Sequence, residues 1–288
     1  MTTRSTWTGS SPPDVLSTLL ATAAIAGAGA APAPDPGDAY LFARSLGLAG
    51  PRPAASAAEA RAHARVEQRF RAAGLRIGHD TFTVPGKGRS QNVLGIRDGR
   101  SDCLRVLMAH TDSAPPAPGA DDNASGVGAL VALAASVGAG PQPSCDTWFV
   151  ATGSEERPYT RQADHLGALA LTRRQQRYRR TSDLRFGLSL DEVGRGRTFW
   201  LRSPASAPRA GVERSLLAAA RTAGVSVRWV RDGSDSNSDH RELEHAGMKA
   251  MKLGVPDDAC RHTACDTPDR LQRGAFVRVL RVVAELLG

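Results

Sequence analysis

Short apolar runs alternate with longer segments of helical periodicity along most of the chain. The apolar runs predict strands at 76–84, 92–98, 103–110, 147–152, 184–190, 198–203, 225–230 and 249–254. The longer segments predict helices at 57–74, 126–140, 163–177, 208–223 and 269–287. Strands that alternate with helices are typical of an α/β protein. We therefore expect a three-layer α/β/α sandwich with a mixed, largely parallel central sheet.

The N-terminal 37 residues do not follow this alternation. Residues 15–31 are Ala-rich and mildly apolar, and PAPDPG follows them, as in a secretory signal peptide with small residues suited to cleavage near Ala28 to Ala31. The basic segment that should precede the apolar stretch is poor, because it contains one arginine and an aspartate. We favour a secreted or cell-envelope location over a cytoplasmic one, with a disordered leader as the alternative. Residues 38–288 are expected to form a single domain.

The charge of the chain changes this picture little. Thirty-seven Lys and Arg against 29 Asp and Glu give a formal net charge of +8. The cations are mostly scattered arginines, and the densest run, RRQQRYRR at 173–180, continues a helical pattern and indicates a solvated helix face. The sequence has neither a zinc-finger pattern nor basic residues interleaved with aromatics, so we expect no nucleic-acid partner. It also has no apolar run long enough for a stable membrane span.

Side chains with metal-binding chemistry follow directly after several predicted strands. His110 ends one strand, Glu155 and Glu156 follow the next, and Asp191 follows a third. In open α/β sheets the ligand site lies beyond the carboxyl ends of the strands, so these residues should converge. Adjacent residues at a strand end point in different directions, so Glu156 can bind metal while Glu155 acts as a general base.

The candidate ligands suit zinc, with manganese or cobalt as substitutes. The set consists of His110, Asp122, Glu156, Asp191 and His262. Five protein ligands are too many for one catalytic zinc, but they fit two zinc ions if one carboxylate bridges. Such ions would also balance the repulsion among the acidic residues of AHTDSAPPAPGADDNASG, where Asp112 could orient His110. Glu192, next to Asp191, is available as a further residue outside the direct ligands.

Five motifs occur in the order found in one enzyme family. The segments AHTDS with GADDNASG, GSEE, LSLDEVG, SDHRELEHAG and RHTACDTPDR resemble those of the co-catalytic di-zinc exopeptidases, which include bacterial leucyl aminopeptidases and aminopeptidase Y. The similarity spans roughly residues 40–288. It implies a zinc peptidase domain with two Zn²⁺ that removes N-terminal residues from peptides or small proteins with a free N-terminus.

The resemblance also implies roles for individual residues. His110 and Asp191 would hold one zinc, Glu156 and His262 the other, and Asp122 would bridge them. Glu155 would be the general base and acid, and Asp112 would orient His110. Asp239 and His240 match a supporting motif, and the Asp122–Asn123 peptide would be cis.

Two departures from the family pattern leave alternatives open. The segment after the paired glutamates is RPYTRQADHLG, whereas the family commonly has a Gly-rich segment there. Arg261 stands where many members carry tyrosine. Arg261 could stabilise developing negative charge or could face solvent. A glutaminyl cyclase-like acyltransferase and a non-catalytic, peptidase-like binding domain are the alternative functions. We interpret the other histidines as structural or surface residues, namely His63, His79, His165 and His245.

The four cysteines allow two disulfides without proving either. Cys103 and Cys145 each open a predicted strand and would lie close together if those strands are neighbours. Cys260 and Cys265 flank His262 and could pin that loop.

Overall fold

The chain folds around one eight-stranded sheet in a computed structural model that describes residues 30–156, 165–178, 180–204, 210–232, 238–256 and 258–288. The strands are β1 (Arg76–Val84), β2 (Gly88–Arg97), β3 (Ser101–His110), β4 (Cys145–Thr152), β5 (Leu184–Leu190), β6 (Thr198–Pro204), β7 (Ser226–Asp232) and β8 (Ala250–Gly254). The helices are α1 (Pro36–Leu48), α2 (Ala57–Ala72), α3 (Gly126–Ala139), α4 (Leu166–Arg177), α5 (Ala210–Thr222), α6 (His240–His245) and α7 (Arg273–Leu287). A π-helical turn at Ala120–Ser125 precedes α3, and a 3₁₀ turn at Pro268–Arg270 precedes α7.

The sheet has the strand order β1-β2-β4-β3-β5-β8-β6-β7. Strand β3 pairs in parallel with β4 on one side and with β5 on the other, and β5 pairs in parallel with β8. The β6–β7 pair is also parallel, whereas β1–β2, β2–β4 and β6–β8 are antiparallel. The expected mixed, mostly parallel sheet is confirmed. The carboxyl ends of β4, β3, β5 and β8 consequently lie side by side along one edge.

Helices cover both faces of the sheet. On β3, Leu107 and Ala109 belong to the larger apolar cluster, which also contains residues of α1, α2, α3, α5 and α7. Val106 and Met108 point to the opposite face and join the smaller cluster with residues of α4 and α6. Because both faces of the central strands are buried, these strands have continuous apolar sequences instead of alternating ones.

Helix α3 needs its small residues for close packing against α1. A Cβ added at Gly128 would lie 2.4 Å from the carbonyl oxygen of Ala39 on α1. A larger residue at this position would therefore force the two helices apart.

The N-terminal part of the chain contains a helix that the sequence pattern does not predict. Helix α1 begins at Pro36 and crosses the expected boundary between residues 37 and 38. Its N-cap is Asp35, whose carboxylate accepts a hydrogen bond from the backbone N–H of Gly37 at 2.8 Å. Most of the signal-like stretch at 15–31 lies outside the described residues, so the leader and the single domain stay predictions.

Several other expectations fall partly outside the described residues. The segment 157–164 and residues 205–209 include the starts of two predicted helices, and residue 179 belongs to the basic run. In the described part of that run, Arg174 lies 2.6 Å from Asp80 and Arg180 lies 3.0 Å from Asp146. Among the residues that the structure describes, no helix has both the length and the apolar character required to cross a membrane.

Both possible disulfides are formed. Cys103 bonds to Cys145, which is possible because β3 and β4 are parallel neighbours, and Cys260 bonds to Cys265. The second bond closes a short loop around His262.

Candidate metal centre

The five predicted ligands converge at the carboxyl edge of the sheet. His110 is the last residue of β3, and Asp191 directly follows β5. Glu156 lies in the loop after β4, Asp122 in the π-helical turn before α3, and His262 in the loop after β8. This convergence follows from the parallel order of β4, β3, β5 and β8.

Asp122 lies between the two histidines of the cluster. Its Oδ1 lies 3.2 Å from His110 Nε2, and its Oδ2 lies 3.2 Å from His262 Nε2. His110 Nε2 is also 3.6 Å from Asp191 Oδ1, and His262 Nε2 is 2.9 Å from Glu156 Oε2. The two carboxylate oxygens of Asp122 thus face two different sets of donors, which is the arrangement that a bridging ligand requires.

The donor set fits a divalent cation. Ligand atoms of His110, Asp122 and Glu156 lie within 4.8 Å of one another, and the same holds for His110, Glu155 and Asp191. Within the described parts of the chain, His110 Nε2, Glu156 Oε1 and Asp191 Oδ1 are buried and have no hydrogen-bond partner. Buried polar atoms are normally satisfied, and nitrogen and oxygen donors of this kind suit zinc.

The pKa values of the cluster reflect an excess of negative charge. Burial and the charge of Asp122 raise the pKa of Glu156 to about 8. Burial opposes ionisation of Asp122, but the neighbouring imidazoles of His110 and His262 outweigh it and hold its pKa well below the usual range. Hydrogen bonds to Asp122 and Glu156 raise the pKa of His262 to about 10. A bound cation would relieve this repulsion among the carboxylates.

The neighbouring Asp121 is held away from the cluster. Its Oδ1 accepts a hydrogen bond from the backbone N–H of Gly194 at 2.8 Å, and its Oδ2 lies 2.9 Å from Arg195 Nε. Of the two adjacent aspartates, Asp122 is therefore the one whose carboxylate reaches the histidines. The Asp122–Asn123 peptide is cis.

Two further carboxylates hold the backbone of the site. Asp112 accepts hydrogen bonds from the backbone N–H groups of Glu155 at 3.0 Å and Glu156 at 3.1 Å. His110 Nδ1 lies 3.2 Å from the backbone oxygen of Asp112 and 3.5 Å from its Oδ1. Asp266 accepts hydrogen bonds in the same way from the backbone N–H groups of Asp121 and Asp122. The sequence pattern did not identify Asp266.

The surroundings of Glu155 include a histidine interpreted from the sequence as structural or surface. His165 Nε2 lies 3.2 Å from Glu155 Oε1, and its Nδ1 lies 3.5 Å from Glu242 Oε1. His165 is buried and lines the cleft together with Glu155. Burial acts against protonation of His165, but the charge of Glu155 and its hydrogen bond raise the pKa of the imidazole to about 10.

Asp239 lies close to β4, and His240 follows it as the first residue of α6. Asp239 Oδ2 accepts a hydrogen bond from the hydroxyl of Thr152, the last residue of β4, at 2.5 Å. Burial and the charge of Glu155 raise the pKa of Asp239 to about 7. His240 is fully buried, and neither of its ring nitrogens has a hydrogen-bond partner among the described residues.

Two cations lie at the side of the cluster formed by Asp191 and Glu192. Lys252 Nζ is 2.7 Å from Asp191 Oδ2 and 3.6 Å from Glu192 Oε2. Arg261 Nη1 is 3.6 Å from Glu192 Oε2, and Arg261 lines the cleft. The lysine was not identified from the sequence, although a charged residue inside the apolar strand AMKLG requires a partner.

Comparisons with known proteins agree with this architecture. The family described as Peptidase family M28 matches residues 92–287. No curated protein sequence matches the chain. A solved structure of BSAP, a zinc aminopeptidase from Bacillus subtilis, is similar with 15% identity and a TM-score of 0.79, covering 90% of this chain and 95% of that chain.

Two structures from Bacteroides thetaiotaomicron are also similar. A leucine aminopeptidase precursor has 23% identity and a TM-score of 0.77, covering 89% of this chain and 98% of that chain. A glutaminyl cyclase has 21% identity and a TM-score of 0.75, with the same coverage of 89% and 98%. At these identities the likeness shows the fold.

Proposed function

The chain belongs to peptidase family M28, and on that premise we propose that it is a zinc-dependent aminopeptidase. Its substrates would be peptides or small proteins with a free N-terminus, whose first peptide bond it hydrolyses. The observation that carries this proposal is the convergence of five nitrogen and oxygen donors around Asp122, with the carboxylate of Glu155 beside them, at one cleft. The presence of both disulfides supports a location outside the cytoplasm.

The metal ligands follow from the distances around Asp122. His110 and Asp191 would hold one zinc and Glu156 and His262 the other, with Asp122 shared because each of its oxygens faces a different imidazole. Bound zinc, or manganese or cobalt in its place, would polarise the scissile carbonyl and lower the pKa of water.

Glu155 would move the proton. It is buried at the cleft and directly precedes the proposed ligand Glu156. Its carboxylate would take a proton from the attacking water and pass it to the leaving amine. Asp112 accepts a hydrogen bond from the backbone N–H of Glu155 and thereby fixes the backbone position from which the Glu155 side chain extends.

The other polar groups of the cleft would bind charged parts of the substrate. The Arg261 guanidinium would stabilise the negative charge that develops on the carbonyl oxygen. The acidic side chains would attract the α-amino group, which explains a preference for chain ends. Asp239 and His240 would support the carboxyl end of β4, which leads into Glu155 and Glu156.

Replacing Glu155 by glutamine tests the proposal. We expect Glu155→Gln to lower the turnover of aminoacyl-anilides by about 10²- to 10⁴-fold, because the amide cannot accept the proton, while zinc content stays unchanged. Glu285→Gln, at an exposed glutamate of α7, is the matched control and should keep full activity. Wild-type turnover by Glu155→Gln would show that the role of Glu155 is misassigned.

Glutaminyl cyclase activity is the second candidate, because a cyclase is among the similar folds. A panel of free and N-blocked peptides, including one that starts with glutamine, separates the functions. An aminopeptidase releases the first amino acid from free peptides, and a chelator abolishes the release. A cyclase instead releases ammonia from the glutamine peptide, and a binding domain retains peptide without forming any product.

A further inference from the structure

A lysine of the central sheet reaches one side of the proposed metal centre. Lys252 lies on β8 opposite Ser189 of β5, two residues before Asp191. Its neighbours Met251 and Leu253 belong to the larger apolar cluster, so alternation directs Lys252 to the other face of the sheet. The side chain is only 5% exposed, and its Nζ lies 2.7 Å from Asp191 Oδ2.

The Lys252 ammonium contacts one of the two carboxylate oxygens of Asp191, Oδ2. The other oxygen, Oδ1, lies 3.6 Å from His110 Nε2 and has no hydrogen-bond partner in the described parts of the chain. A cation held by His110 and Asp191 would therefore share a single carboxylate with a buried positive charge. Glu156, on the other side of Asp122, faces the imidazole of His262 at 2.9 Å.

We propose that Lys252 makes the two halves of the metal centre unequal in their affinity for a divalent cation. With Asp122 shared between them, the half formed by Glu156 and His262 binds a divalent cation tightly, whereas the half formed by His110 and Asp191 binds it weakly. The reason is that a carboxylate already bonded to an ammonium carries less charge for a metal, and the ammonium repels a second cation nearby. This inference rests on the proposed function, since it presupposes that the cluster binds metal.

Titration of the chelator-stripped protein with zinc in a calorimeter tests the proposal. For the full chain we expect two binding events whose dissociation constants differ by at least about tenfold. Lys252→Met should tighten the weaker event by about tenfold or more and leave the tighter event within about threefold. Lys249→Met, at an exposed lysine three residues earlier, is the matched control and should leave both constants unchanged.

A second variant decides the matter if Lys252→Met does not fold. Glu192 Oε2 lies 3.6 Å from Lys252 Nζ, so the lysine ammonium interacts with Glu192 as well as with Asp191. Glu192→Gln should leave the ammonium more fully on Asp191 and weaken the second binding event further. Where both variants fold, they shift the same constant in opposite directions, which a general loss of structure cannot do.

Three results would overturn the proposal. The first is two events of equal affinity in the wild-type chain, which would leave the proposed function intact. The second is that Lys252→Met does not tighten the weaker binding event: no change would mean that the lysine has no effect, and further weakening would mean that it supports Asp191. The third is no zinc uptake by any form at saturation, which would reject the proposed function together with the inference.

Discussion

Replacing Asp112 with asparagine tests whether one buried carboxylate holds the backbone that carries Glu155 and Glu156. The carboxylate accepts a backbone hydrogen bond from each of these residues, at 3.0 and 3.1 Å, and it is fully buried. Asparagine keeps the shape and one acceptor oxygen, but its NH₂ group would face the second backbone N–H. Because both of these groups donate, one charge-assisted hydrogen bond is lost and one buried donor is left unsatisfied.

The magnitude follows from these two contacts. A hydrogen bond to a charged acceptor contributes about 1.5–3 kcal/mol, and an unsatisfied buried donor costs about 1–3 kcal/mol. These effects overlap, so we take about 3 kcal/mol for the loss. The neighbouring Glu59, whose pKa is raised to about 8 by burial and by Asp112, is mostly uncharged near pH 7 and does not change this value.

Urea unfolding of the metal-free protein with intact disulfides measures the loss in stability. We also expect zinc affinity, measured by competition with a chelator, to fall about 10- to 100-fold, because Asp112 fixes Glu156 and lies beside the His110 ring. Asp102→Asn is the matched control, since Asp102 is exposed on β3. The reasoning is refuted if Asp112→Asn unfolds at the wild-type urea concentration and keeps wild-type zinc affinity.

The remaining predictions concern the disulfides and His165. The Cys103–Cys145 bond joins residues 42 apart, so Cys103→Ser with Cys145→Ser should lower the unfolding free energy by about 4 kcal/mol without changing zinc affinity. The Cys260–Cys265 bond spans 5 residues, so its removal should cost about 2 kcal/mol but should weaken zinc binding through His262; unchanged binding would contradict this. His165→Leu should lower kcat about 10- to 100-fold with unchanged zinc content, and His165→Gln, which restores a donor toward Glu155, should recover part of the loss. Wild-type kcat in His165→Leu would show that the imidazole does not position Glu155.

The sequence predicts the central strands well because both faces of those strands are buried. The run CLRVLMAH corresponds to most of β3, and the strand ends that carry His110 and Asp191 lie where the pattern places them. Helix α1 escapes prediction because its start, PGD, continues a segment rich in proline and glycine. Helix α6 escapes because its six residues are too few to establish a helical period.

Residue types and strand positions were enough to predict which donors are available, because metal chemistry selects residue types and parallel strands bring their carboxyl ends together. Which other side chains contact those donors depends on how the chain folds. Lys252 reaches Asp191 because β8 pairs with β5 in one register, and His165 reaches Glu155 because its backbone N–H donates to the backbone oxygen of Glu155. Periodicity along one strand gives the face of a side chain, but strand order and register between distant segments determine its neighbour.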